Sequence, residues 1–238
     1  MSRYTSAKNF FEINMIKDFD SKKMMNITDN EVKFLHRIIS SLDVDILDVM
    51  CGYGRLGNRL HDLGYSKISG VDMGTFEFIS EHKNFTFYNA DFYSWIPPHF
   101  YDYCYSLYNS YDSYESFLKT IERCKMLLKE NGILIIDIFN KEWRDRLPDT
   151  SYRVVSDERN ERIELFRYYD GLYEQSVYRL SNEEGVKEFS YTQCVISKDT
   201  LLKIIPNDWD VSMTDSSIEN TREDDQKNIL ILRKRARK

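Results

Sequence analysis

From residue 28 onward the apolar positions switch between two periods, and the switches mark out elements. "TDNEVKFLHRII" repeats its apolar residues at helical spacing, and Thr28 with Glu31 three residues on has the form of a capping box, so a helix is expected to open at Thr28. "VDILDVM" (44–50) is nearly all apolar, as a parallel strand covered on both faces is. "GRLGNRLHDLGY" places Leu56, Leu60 and Leu63 on one helical stripe that ends at Gly64. Strands follow at 67–72 ("KISGVD"), 85–91 ("FTFYNAD") and 101–109 ("YDYCYSLYN"). "YESFLKTIERCKMLLKENG" is an amphipathic helix expected to close at Asn131-Gly132, and "ILIIDIFN" (133–140) is a fifth strand. Strands alternating with helices in this way give a doubly wound, mostly parallel sheet with right-handed crossovers.

The pattern changes after residue 150. "RIELFRYYDGLYEQSVYRLS" is two alternating runs about Asp170-Gly171, a hairpin signal, and "GVKEFSYTQCVI" continues in the same style. A short helix, "SKDTLLKII", leads to "WDVSMTD" and "KNILILRKR", two runs expected to pair as an antiparallel hairpin at the sheet edge.

The 238 residues suit one large α/β domain, long enough to bury roughly 70% of its unfolded surface without a disulfide or metal staple. The first twenty residues lack an uninterrupted apolar core, and no stretch approaches the about 18 apolar residues of a membrane span, so neither a secretory signal nor a membrane partner is expected. Four cysteines without a C-x-x-C pair read as reduced thiols of a cytoplasmic protein. A net charge of −6 argues against a broad nucleic-acid-binding face, although the tail "RKRARK" (233–238) is basic.

The chemistry lies in "ILDVMCGYGRLGNRL" (46–60). Gly52, Gly54 and Gly57 spell G-x-G-x-x-G where a strand turns into a helix, letting a ligand approach the backbone and meet helix N–H groups. Asp48 sits four residues before the first glycine. Beside a pyrophosphate such an acid adds roughly 3 kcal/mol of repulsion per charge pair at about 6 Å and an effective dielectric near 20. Beside the ammonium and sulfonium of S-adenosylmethionine (SAM) it attracts. Asp72, ending the second strand, suits ribose hydroxyls of either nucleotide. Asp91, in "NADF", can accept from an adenine amino group with Phe92 against the ring, or simply cap a helix.

On these residues the chain resembles the class I SAM-dependent methyltransferases. "LDVMCGYGR", "GVDM", "NADF" and "YDYCYSLYNSY" look like four of their motifs, and "GILIIDIFNKEW" resembles the fifth strand of members acting on small molecules. The resemblance implies a seven-stranded Rossmann-like sheet with a small antiparallel β insertion. Its parts would be an N-terminal lid and leading helix (1–43), a SAM-binding core (44–150), an insertion serving as substrate lid or homodimer surface (151–195), and a closing helix and strand pair (196–238). It also implies roles for particular residues. Gly52, Gly54 and Arg55 belong to the cofactor loop, with Asp48 near the methionine ammonium. Asp72 binds the ribose, Met73 packs on the adenine, Asp91 and Phe92 hold its edge and face, and Leu107 and Tyr108 lie beside the sulfonium. Two departures stand out: the segment after Asp72 is short for the family, and Gly74 stands where a polar helix cap is common.

Methyl transfer from SAM is an in-line displacement that leaves S-adenosylhomocysteine (SAH), and it requires alignment and exclusion of water rather than a metal. Acceptor-pocket candidates are Tyr4, Phe11, Tyr108, Asn109, Tyr111, Asn140, Trp143 and Arg144, with Tyr108, Asn109 and Tyr111 placed to position the acceptor. No histidine falls at the end of the fourth strand, so no histidine base is indicated. "IPPHF" (96–100) precedes that strand, where an N-P-P-Y motif of base methyltransferases would follow it, so Pro97-Pro98 reads as a rigid loop. A small-molecule acceptor is therefore expected, nitrogen ahead of oxygen. The competing readings are an NAD-dependent oxidoreductase, a non-catalytic SAM- or SAH-binding subunit, and a methyltransferase of macromolecules.

Overall fold

The computed structural model describes residues 4–5, 22–74, 86–158, 161–215 and 227–235. In chain order these form β1 (Tyr4–Thr5), α1 (Lys22–Ile38), β2 (Ile46–Val49), α2 (Arg55–Asp62), β3 (Ile68–Asp72), β4 (Thr86–Asn89), β5 (Tyr101–Ser106), α3 (Tyr114–Leu127), β6 (Leu128–Asn140) and α4 (Lys141–Arg144). The insertion follows as β7 (Thr150–Glu158), β8 (Glu161–Tyr169), β9 (Tyr173–Asn182) and β10 (Gly185–Ile196), and the chain closes with α5 (Lys198–Ile204), β11 (Trp209–Asp215) and β12 (Lys227–Lys234).

Strand parity sorts the core into two layers. Ile46, Ile68, Tyr103, Tyr105, Ile133, Ile135 and Ile229 face α1 and α2, meeting Val32, Leu35, Leu56 and Leu60. Their neighbours Leu47, Val71, Cys104, Leu134, Ile136 and Leu230 face the other way, against Phe117, Ile121 and Cys124 of α3 and Leu201 of α5. Apolar side chains on both faces explain why these strands read as continuous apolar runs.

The seven expected strands lie in the order β4-β3-β2-β5-β6-β12-β11, parallel as far as β6, with β12 antiparallel to β6 and to β11. The sheet does not stop at seven. β5 pairs with β6 only as far as Ser106↔Ile136, and the edge of β6 left beyond it pairs with β10 at Val195↔Phe139 and Ile196↔Asn140. The meander β10-β9-β8-β7 is thereby hydrogen-bonded to the core, with β1 parallel to β10, and twelve strands are connected. The hairpin between β8 and β9 turns at Gly171 (φ 96°), where Asp170 Oδ1 accepts the amides of Leu172 and Tyr173.

Two helix boundaries differ from expectation. α1 starts at Lys22, so Thr28 lies inside it and caps nothing. A three-residue spacing that closes a cap also puts both residues on one face of a continuing helix, and here that face is used for a different contact. α3 closes at Leu127, not at Asn131-Gly132, because Leu128 already pairs with Tyr101. No helix among the described residues is long and apolar enough to cross a membrane.

Candidate functional site

The strand order reverses between β2 and β5: β3 and β4 lie to one side, β6 to the other. Loops leaving the carboxyl ends of such strands diverge and leave a crevice for a ligand. The loop after β2 enters that crevice with Met50, Gly52 and Gly54 all left-handed, at φ 53°, 54° and 78°. A Cβ built on Gly52 would meet nothing within 4 Å, so the loop presents bare backbone to open space. Gly54 precedes α2 without a side-chain cap, which leaves the N–H groups ahead of Gly57, whose own amide faces Asp48, available to a ligand.

Asp72, at the end of β3, reaches across to this loop. Its Oδ2 accepts the Gly52 amide at 2.8 Å and its Oδ1 the Gly74 amide at 2.7 Å. Each carboxylate oxygen can accept a second hydrogen bond, so the residue holds the loop and still has capacity for hydroxyl donors. Met73 beside it is 54% exposed. Across the crevice Tyr108, the second residue beyond β5, is left-handed at φ 67° and 37% exposed. The Arg55 guanidinium lies 5.5 Å from the centre of its ring. Asn109 donates from Nδ2 to the Val49 carbonyl and to Ser106 Oγ, tying the loop after β5 to the end of β2.

Other expected site residues are placed differently. Asp48 is 4% exposed and lies beneath the loop, facing the Tyr105 hydroxyl and the Gly57 amide, so a ligand ammonium does not touch it directly. Burial raises its pKa to about 7, against the opposing effects of Tyr105 and Arg55. Burial, with Asp48 and Asp72 close by, also pushes the Cys51 thiol well up. Phe92 is 3% exposed and packed in the core, so its ring is no face for an adenine. Asp91 is exposed and caps its own turn, accepting the Tyr93 amide at 3.0 Å and the Ser94 hydroxyl at 3.1 Å. Leu107 is buried with the α1 and α2 layer.

Four acceptor candidates serve the fold instead. Tyr111 is buried with its hydroxyl 2.7 Å from Ser106 Oγ. Asn140 caps α4 through the Trp143 amide, and Trp143 itself is buried. Arg144, 1% exposed, donates from Nε to Glu174 Oε2 at 2.5 Å and stacks over Tyr169. That pair locks α4 to the insertion. Tyr4 pairs by its backbone with Glu188, and Phe11 lies outside the described residues.

Glu31, Asp137 and Lys227 at the crevice were not singled out as site residues in the sequence, whereas Arg55 was expected in the cofactor loop. Arg55 donates to Thr28 Oγ1 at 2.8 Å and pairs with Glu31 Oε2 at 2.7 Å, which is what the shared face of α1 does. Lys227 Nζ pairs with Asp137 Oδ2 at 2.8 Å, and that same oxygen accepts the Tyr108 amide at 2.8 Å. A lone acid inside "ILIIDIFN" and a lone lysine opening "KNILIL" were the available signal, because a charge in a doubly covered strand needs a partner.

No protein-family model matches the chain, and no curated protein sequence does. Solved structures do. The CcbJ methyltransferase from Streptomyces caelestis superposes with a TM-score of 0.74 at 14% identity, covering 99% of this chain and 100% of that one. A SAM-dependent methyltransferase from Clostridium acetobutylicum gives 0.67 at 15% identity, covering 96% and 97%. The sugar N-methyltransferase KedS8 from Streptoalloteichus gives 0.62 at 15% identity, covering 88% of each chain. The chain has the fold of the class I SAM-dependent methyltransferases.

Proposed function

We propose that this chain is a SAM-dependent methyltransferase that methylates a small molecule, nitrogen ahead of oxygen, and releases SAH. The observation that carries the proposal is the Gly52–Asp72 arrangement: bare left-handed backbone facing open space, anchored by a carboxylate that can also accept ribose hydroxyls. Asp48 beneath the loop and Asp72 beside it are carboxylates, which favour a ligand bearing an ammonium and a sulfonium over a pyrophosphate. This weighs against an NAD-dependent oxidoreductase. The preference for nitrogen draws on similar folds such as KedS8 and CalS10, an amino pentose methyltransferase.

Gly52, Gly54 and the start of α2 would hold the methionine part of SAM, Asp72 its ribose, and Met73 and Asp91 its adenine. When bound, SAM supplies a methyl carbon already activated by its sulfonium. What remains for the chain is to align the acceptor and keep water out. Tyr108 and Asn109 stand on the side of the crevice where that alignment belongs. Four free thiols, three of them buried, suit a cytoplasmic protein, and the antiparallel insertion (151–195) serves as a substrate lid or as the surface for a homodimer.

Calorimetric titration with SAM, SAH and NAD in parallel tests the proposal. Micromolar binding of SAM and SAH without NAD is expected. Binding of NAD alone, or of none of the three, would overturn it. SAH release on screening amines and alcohols then separates an enzyme from a non-catalytic binding subunit.

A further inference from the structure

Tyr108 is held in a conformation that it would not adopt unaided. A bulky residue at φ 67° persists only where its surroundings over-determine it, and such residues gather at ligand sites. Here the surroundings are a buried ion pair. Asp137 on β6 accepts the Tyr108 amide and Lys227 Nζ with the same oxygen, and Lys227 lies 4.6 Å from the centre of the Tyr108 ring. Both partners are almost wholly buried. Arg55, itself paired with Glu31, also packs on the ring. The other Asp137 oxygen is buried with no hydrogen-bond partner among the described residues.

The position of this cluster says which part of a ligand it meets. Asp72, on the β3 side of the crevice, is the ribose acceptor in the proposed function, on which this inference rests. A ligand held there and passing over Gly52 extends its sulfur and amino-acid end toward β5, where Tyr108 stands. We infer that Lys227 and Asp137 are positioning residues that set Tyr108 against the sulfur and amino-acid end of the bound cofactor. Neither strand alone could do this. β6 supplies the acid and the antiparallel β12 starts at the same edge of the sheet with the lysine, opposite Phe139.

Truncating the ligand separates positioning from general damage. SAH carries the end that meets Tyr108, whereas adenosine carries only the part assigned to Asp72 and Met73. Binding of both is measured, by calorimetry for SAH and ligand-observed NMR for adenosine, to wild type, Lys227→Met, Lys227→Arg and Asp137→Asn. Lys227→Met and Asp137→Asn are expected to weaken SAH by on the order of tenfold, as for loss of charge-assisted contacts that hold one binding residue. Adenosine should change less than about twofold, and Lys227→Arg should recover most of the SAH affinity. If Lys227→Met does not fold, Lys227→Met/Asp137→Asn, which leaves no unpaired buried charge, carries the same comparison. Unchanged SAH affinity in a folded variant overturns the inference, and so does equal weakening of SAH and adenosine. If wild type binds neither ligand, the proposed function fails first and this inference goes with it.

Discussion

The amide of Gly52 donates to Asp72 Oδ2 at 2.8 Å, so the acid ending one strand holds the loop that leaves its neighbour. The second oxygen of the same carboxylate takes the Gly74 amide at 2.7 Å. Asp72 therefore has two duties, fixing the loop and offering its remaining lone pairs to a ligand. Asp72→Ala removes both, and SAM and SAH affinity should fall more than tenfold by calorimetry. Asp72→Asn keeps one acceptor oxygen and should fall between wild type and alanine. Affinity unchanged in the alanine variant would remove Asp72 from the site.

Gly52→Val tests the open space in front of the loop. The protein has room for the Cβ, so the folded state suffers only left-handed backbone strain, roughly 1–2 kcal/mol. For a chain of this length that corresponds to a Tm lower by about 2–8 °C. SAH binding should be lost altogether, because the side chain fills the path of the ligand. Gly171→Val is the control: it is also left-handed, at φ 96°, and also faces open space, but it sits in the β8–β9 hairpin. It should show similar strain and keep SAH affinity.

Asp48 makes stability depend on pH in a defined direction. Burial first, opposed by Tyr105 and Arg55, raises its pKa from 3.8 to about 7. A raised carboxyl pKa means the folded state favours the protonated form. Its contribution is therefore complete below pH 3.8 and is lost as pH rises toward 7, up to about 4 kcal/mol in all. About 2 kcal/mol of that loss falls between pH 5.5 and 7. Asp48→Asn removes the ionisation and should gain on wild type by about this amount when urea denaturation at pH 5.5 is compared with pH 8.5. A constant difference between the two proteins would mean that Asp48 ionises normally.

The α/β core was legible because two-sided burial writes continuous apolar runs, and turns such as Asp170-Gly171 announce themselves locally. The glycine loop and Asp72 were legible for the same reason: their geometry needs particular residue types at fixed spacing. What the sequence concealed was side-chain partnership across distant elements. Thr28 and Glu31 have the spacing of a capping box, yet their partner is Arg55, brought near by the packing of α1 on α2. Phe92 looked like a ring for a ligand because it follows Asp91, but that adjacency does not say which way a side chain points. Lys227 and Asp137 are ninety positions apart and meet only because β12 runs antiparallel to β6. The extent of the sheet was hidden likewise, since nothing local tells β10 to take the edge that β5 vacates.

Arg144 shows how a polar residue near a ligand crevice can belong entirely to the scaffold. Its guanidinium is buried against Glu174, donates to the Pro148 carbonyl at 3.0 Å, and lies 4.3 Å from the Tyr169 ring. Glu174 in turn accepts from Gln193, and Gln193 accepts from the Ser110 hydroxyl, so the pair ties the insertion to the loop after β5. Arg144→Met strands a buried carboxylate, with Arg167 Nε 3.7 Å away as partial relief. The expected cost is about 3 kcal/mol, at the lower end for breaking a buried pair. Arg144→Met/Glu174→Leu removes both charges and should recover much of it, as measured by urea midpoints. SAH affinity of the folded Arg144→Met protein should match wild type. If it instead falls tenfold while the urea midpoint barely moves, Arg144 is a ligand contact after all and the insertion opens further than its buried ion pair implies.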